Sequence, residues 1–181
     1  MYFKQDSINV SSKNLKEHVI LKKLDISISL DVFDSVQTLP DTIQELMQSA
    51  KQARDRAYAP YSSFMVGSSI ELANGVIVQG NNQENAAYPS GLCAERVAVF
   101  YAGATYPGVA IKNIAITVRS LHHKVLTPTP PCGSCRQALA EYEVNQDQPI
   151  NVYFMGETGQ VVRSNSVKDL LPLIFDSSFL K

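Results

Sequence analysis

The chain has 181 residues, 45% of them hydrophobic, a formal net charge of -1 and three cysteines. That is enough for one ordinary α/β domain with a proper core and too little for two, and the near-neutral charge offers a phosphate backbone nothing, so nucleic-acid binding by bulk charge is excluded. No apolar run approaches a membrane span and no basic-then-apolar segment stands at the start, so a cytoplasmic protein is expected, its few thiols kept reduced rather than paired in disulfides.

Residues 1–40 form an N-terminal extension that differs from a domain over 41–181: Lys4, Lys13, Lys16, Lys22 and Lys23 are scattered among acids and serines. Strict alternation in Ile26-Ser27-Ile28-Ser29-Leu30-Asp31-Val32 predicts a strand with Ile26, Ile28, Leu30 and Val32 on one face. The extension is expected to add an edge strand, to cover a neighbouring subunit or, over residues 1–15, to be a flexible arm. Pro40-Asp41 then starts a helix, with Asp41 as cap, Gln44 closing a capping box, and Ile43, Leu46, Met47, Ala50 and Ala57 as the apolar stripe.

Ala59 to Ser63 break that helix. Phe64–Leu72 and Val76–Gly80 read as strands joined by the tight turn Ala73-Asn74-Gly75, a β-hairpin. The loop from Asn81 to Leu92 leads to Cys93 and a helix with Val97, Phe100 and Tyr101 as its apolar positions. Ile111–Val118 suits a buried parallel strand. A Pro-rich loop carrying His122 and His123, read as solvated, precedes a helix over Ser134–Glu143 with Leu139 and Tyr142 apolar. Ile150–Met155 and Gln160–Arg163 are the last strands, and Ser166 with Asp169 starts a short helix that Pro172 ends. This order implies three layers, α-β-α, around a five-stranded mixed sheet, mostly parallel.

The chemistry sits in Cys93-Ala94-Glu95-Arg96 and Pro131-Cys132-Gly133-Ser134-Cys135-Arg136-Gln137, which hold every cysteine of the chain. One thiol plus a Cys-x-x-Cys pair, with a carboxylate two residues after the lone thiol, suggests a zinc held by three protein ligands with its fourth position left for water; a structural zinc would be closed by four. Cys93 and Cys132 both stand at helix starts, where unpaired backbone N–H groups and the positive dipole end favour a thiolate. Glu95 at the first turn can fold across the helix end and reach the metal's water without being a ligand. The alternative is a structural knuckle closed by a distant histidine, His18, His122 or His123. It leaves Glu95 unexplained, and none of the three stands at the usual spacing.

These motifs, with Phe64-Met65-Val66-Gly67, Asn82-Gln83-Glu84-Asn85-Ala86 and Leu170-Leu171-Pro172 in the same order, resemble the small, homotetrameric, three-cysteine cytidine deaminases from about Asp41 onward. The resemblance implies hydrolysis of cytidine and 2'-deoxycytidine to uridine and 2'-deoxyuridine in pyrimidine salvage. It also implies one zinc per subunit on Cys93, Cys132 and Cys135, with Glu95 as the proton carrier. Arg96 would hydrogen-bond the ligand sulfurs, Asn82 and Glu84 the ribose 3'-hydroxyl, Phe64 would pack on the pyrimidine or sugar, and backbone at Ala94 and Pro131 would read the ring edge. Phe175 and Tyr88 match positions that reach a neighbouring subunit's site, although this chain continues past Phe175 to Lys181. A site closed by neighbours would exclude a long polynucleotide strand. Deamination of another aminopyrimidine nucleoside, such as a blasticidin-type antibiotic, and a catalytically silent zinc-binding or nucleic-acid-binding module are the competing readings.

Overall fold

The computed structural model describes residues 22–180; the arm expected over residues 1–15 lies outside them. In chain order the described residues form β1 (Asp31–Phe33), α1 (Asp41–Arg54), β2 (Phe64–Leu72), β3 (Ile77–Asn81), α2 (Ala94–Thr105), β4 (Ile111–Ser120), α3 (Gly133–Gln146), β5 (Asn151–Met155), β6 (Val161–Ser164) and α4 (Val167–Leu170). The strands make one mixed sheet in the order β1-β6-β5-β4-β2-β3.

Two expectations are corrected here. Among the described residues the sheet has six strands rather than five, because Asp31–Phe33 of the extension joins its edge. It is also mostly antiparallel: β4 and β5 are the parallel pair, and every other neighbouring pair is antiparallel. The short turns of the β2–β3 and β5–β6 hairpins can join only antiparallel strands, whereas the connection through α3 is long enough for a parallel crossover.

Alternation along the central strands divides the interior in two. Ile114, Ile116, Val152 and Phe154 face Ala98, Val99, Leu139 and Ala140 of α2 and α3. Ala115, Tyr153 and Met155 face Ile43, Leu46, Met47 and Ala50 of α1. The result is the expected three layers, with α1 alone on one side of the sheet.

Two glycines set the helix distances. A Cβ at Gly67 would stand 2.0 Å from the Ala50 carbonyl oxygen, and one at Gly80 would stand 2.4 Å from that of Ala94. Helices α1 and α2 therefore lie at backbone contact with β2 and β3, and the start of α2 is fixed against the sheet. So close an approach admits small side chains, which is why α2 buries Ala94, Ala98, Val99 and Ala102. The expected apolar positions do not form that face: Phe100 and Tyr101 are exposed and Val97 is half-buried.

Further local corrections concern the chain's first elements. The alternating pattern over Ile26–Val32 forms a strand only from Asp31, since β6 is short and offers register partners only to Asp31, Val32 and Phe33. The junction is tied by Arg163, whose Nη2 lies 2.6 Å from Asp31 Oδ2. At α1 the capping box does not form, because Pro40 takes the N-cap position and Asp41 is already helical. Gln44 Nε2 donates instead to the Leu39 carbonyl at 2.9 Å. Ala57 lies beyond the helix. Buried Arg54 at its end donates to Thr117 Oγ1 (3.1 Å) and to the Val118 carbonyl (3.3 Å), tying α1 to β4.

Candidate active site

The two cysteine motifs meet at the starts of α2 and α3. Cys93 is the N-cap of α2 and Cys132 the N-cap of α3, both in extended conformation, and Cys135 stands in the first turn of α3. Cys93 Sγ is 3.8 Å from Cys132 Sγ, which is 3.4 Å from Cys135 Sγ, and all three sulfurs lie within 4.8 Å of one another. Four sulfurs or water around a zinc with bonds of about 2.3 Å would be separated by roughly 3.8 Å, so this donor set fits that ion.

The electrostatics suit a dication. The Cys93 thiol is lowered to about 5, chiefly by the hydrogen bond from Cys135 and then by Arg96, against its partial burial. Cys135 is pushed up by donating that hydrogen bond, by burial and by the negative charges of Glu95 and Cys93. Thiols this close cannot all ionise unaided, and a bound cation is what lets them do so. Arg96 Nη2 lies 3.9 Å from Cys93 Sγ, so one guanidinium already leans on the cluster.

Glu95, in the first turn of α2, is only 4% exposed, and burial first, with the Cys93 charge behind it, raises its carboxyl above the usual range. It lines a cavity of about 580 Å³ together with Phe64, Asn82, Glu84, Arg96, Cys93 and Cys132. Glu95, Cys93 and Cys132 thus share one hollow with Phe64, Asn82 and Glu84, and Thr129 and Pro130 also line it, whereas Cys135 and Ala94 are not among its lining residues.

Asn82 and Glu84 are built into this wall. Asn82 Oδ1 accepts from the Val66 N–H (2.8 Å) and Nδ2 donates to the Phe64 carbonyl (2.9 Å), which pins the end of β3 to β2 and orients Phe64. Glu84 accepts from the N–H groups of Tyr61 (2.9 Å) and Ser62 (3.2 Å) and from the Ser62 hydroxyl. Burial would raise this carboxyl, but those three bonds together hold it below its ordinary value.

Ala94 is fully buried as the first residue of α2. Phe175 does not reach this cavity: its ring is exposed and stacked on Phe179 at 5.7 Å between centroids. Tyr88 stands at the rim, 76% exposed, edge-on to Tyr61. The paired histidines stay out of the site; Ser120 Oγ lies 3.4 Å from His123 Nδ1 in an exposed turn. Sequence reasoning missed Tyr61 and Ser62, which read there only as helix-breaking turn residues; their position one turn before β2 was the available signal.

Comparison with known proteins agrees with this geometry. The signature described as the cytidine and deoxycytidylate deaminase zinc-binding region matches residues 40–147. A cytidine deaminase of Halalkalibacterium halodurans is 38% identical over 134 residues, 73% of this chain and 92% of the relative. One of Sporosarcina psychrophila is 37% identical over 139 residues, 76% of this chain and 94% of the relative. The crystal structure of cytidine deaminase from Burkholderia pseudomallei superposes with a TM-score of 0.64 at 37% identity, covering 73% of this chain and 98% of that one.

Proposed function

The chain belongs to the family of cytidine and deoxycytidylate deaminases, and on that footing we propose that it hydrolyses cytidine and 2'-deoxycytidine to uridine and 2'-deoxyuridine with release of ammonia, in pyrimidine salvage. The observation that carries the reading is a buried carboxyl, Glu95, lining one nucleoside-sized cavity together with Cys93 and Cys132 of a three-thiol cluster.

A zinc ion on Cys93, Cys132 and Cys135 would supply a water acidified towards neutral pH. Glu95 takes the proton of the attacking water and delivers it to ring N3, then carries the second proton, from the hydroxyl now on C4, to the amine, which leaves as ammonia while the C4 carbonyl forms. A raised carboxyl suits a group that must hold the proton between those transfers. Arg96 offsets the charge of three thiolates on one dication through its contact with Cys93.

Phe64 packs on the pyrimidine or the sugar, with Asn82 holding its strand in place. Asn82 Nδ2 keeps a second hydrogen, and Glu84 uses three of roughly four acceptor sites, so both retain capacity for a ribose hydroxyl. Backbone N–H groups at the start of α2, around Ala94, are free of intrahelical partners and can read the ring edge. Phe175 and Tyr88 are exposed because their partners are other subunits: the working form is a homotetramer whose sites are shared. Exposed Phe100, Tyr101 and Tyr88 supply the apolar surface for that assembly. The thiols demand a reducing compartment, the cytoplasm, and among the described residues no helix is long and apolar enough to cross a membrane. Residues 1–40 stand outside the deaminase unit proper, although Asp31–Phe33 extends its sheet.

Product chromatography after incubation with cytidine, 2'-deoxycytidine, deoxycytidylate and a blasticidin-type nucleoside tests the assignment. Equimolar uridine and ammonia from cytidine, and the deoxy pair from 2'-deoxycytidine, are expected. Turnover of the antibiotic alone would transfer the site to that substrate.

A further inference from the structure

Arg136 occupies a position that needs a reason. It lies in the first turn of α3, where the helix dipole is unfavourable to a cation. Arg96 is the guanidinium beside Cys93, at 3.9 Å, whereas Arg136 turns elsewhere. Its guanidinium instead forks between two main-chain carbonyls: Nε donates to Pro131 and Nη1 to Leu170, each at 2.8 Å. The Pro131 carbonyl precedes the N-cap and stands outside the α3 ladder, and that of Leu170 ends α4, so both lack helical partners.

The far end of α4 is held by the same face of α3. Glu143, two turns along from Arg136, is buried and accepts from the Val167 N–H (2.8 Å), the Lys168 N–H (3.2 Å) and the Ser166 hydroxyl (2.6 Å). Helix α4 is thereby clamped at both ends, and its last carbonyl becomes a fixed anchor for Arg136.

The three thiols are not equally supported. Cys135 is buried in the helix and Cys93 is half-buried beside Arg96, but Cys132 is exposed. It follows Pro130 and Pro131, neither of which has an N–H to donate. Among the described residues no side chain other than Arg136 hydrogen-bonds the backbone of residues 130–133.

We propose that Arg136 is a positioning residue for the metal centre: by joining the Pro131 and Leu170 carbonyls it fixes the turn that presents Cys132, and it makes zinc retention depend on α4. The proposal rests on the zinc reading above. Lysine cannot replace it fully, since a single ammonium on a flexible stem does not reproduce the planar fork.

The test is zinc transfer from the zinc-loaded full-length protein to a colorimetric chelator, for wild type, Arg136→Gln, Arg136→Lys and Ser166→Ala, alongside thermal unfolding of the zinc-free forms. Release from Arg136→Gln should be about 10–100-fold faster, with Arg136→Lys between it and wild type. Ser166→Ala, which loosens α4 from its far end, should speed release mildly, and should add nothing to Arg136→Gln because both act on one linkage. Release from Arg136→Lys, and from Arg136→Gln where it folds, within about twofold of wild type would overturn the proposal whatever the unfolding temperatures, since a general loss of stability is already visible without metal. A wild type that takes up no zinc would overturn the metal reading itself, and this proposal with it.

Discussion

Replacing Glu143 by glutamine probes the joint that carries α4. The buried carboxylate accepts at Oε2 from the N–H groups of Ile150 and Val167, both at 2.8 Å, and at Oε1 from the Ser166 hydroxyl (2.6 Å) and the Lys168 N–H (3.2 Å). Glutamine keeps one acceptor oxygen, so it serves one pair of donors as a neutral acceptor and turns an NH₂ group towards the other pair. Its better orientation faces the amide to Ser166, whose hydroxyl rotates to accept, while the Lys168 N–H retains the Ser166 oxygen at 3.1 Å. What is lost is one charge-assisted bond and the charge assistance on the other three. With bonds to charged groups worth about 1.5–3 kcal/mol and neutral ones about 1, the cost comes to at least about 3 kcal/mol. Urea unfolding at fixed protein and zinc concentration should show a lower midpoint with an unchanged slope. A loss below about 1 kcal/mol would refute the claim that this carboxylate organises the α3–β5–α4 junction.

Other perturbations follow the same logic. Gly80→Ala places a Cβ 2.4 Å from the Ala94 carbonyl oxygen, a backbone atom that cannot swing aside, so stability should fall by about 1–3 kcal/mol and turnover should fall with it as the start of α2 shifts, both read on one preparation. Arg96→Gln removes the contact at 3.9 Å from Cys93 and should weaken zinc affinity about 10–100-fold; unchanged affinity and unchanged turnover together would end the sulfur-donor role. Asp31 is held below its ordinary value first by the Arg163 hydrogen bond. A depressed carboxylate contributes stability above its unfolded pKa and loses it as pH falls through the folded one. Amide exchange over residues 31–33 should therefore be faster in Asp31→Asn at neutral pH, and the gap to wild type should close only below about pH 4. A gap that closed between pH 5 and 7 would place the protection elsewhere.

The site was more legible in the sequence than the sheet that carries it. Cys93, Cys132, Cys135 and Glu95 declare themselves because metal chemistry restricts residue type and spacing together, and helix starts at Cys93 and Cys132 are marked by neighbouring Pro and Gly. Strand direction is not marked in that way: Ile114, Ala115 and Ile116 are consecutive apolar residues because β4 is covered on both faces, a pattern that parallel and antiparallel neighbours share. The alternation of Ile26 to Val32 was legible but its partner was not, since the length of β6 decides how much of it pairs. Phe100 and Tyr101 misled because they are apolar yet exposed, whereas the inner face of α2 is built from Ala94, Ala98, Val99 and Ala102, small residues that the close approach at Gly80 requires. The clamp joins α3 to residues remote in sequence, Arg136 through the Leu170 carbonyl and Glu143 through the donors of Ser166, Val167 and Lys168, and no local spacing rule reveals it.

The central claim is that Glu95 moves protons for a zinc-dependent deamination of cytidine. Its most direct test is the ultraviolet absorbance of cytidine mixed with wild type and with Glu95→Ala, both assayed at equal measured zinc content. The account predicts loss of the cytidine band with wild type and a rate lower by about 10²–10⁴ or more in the variant. Equal rates at equal zinc, or no absorbance change with zinc-loaded wild type, would contradict it.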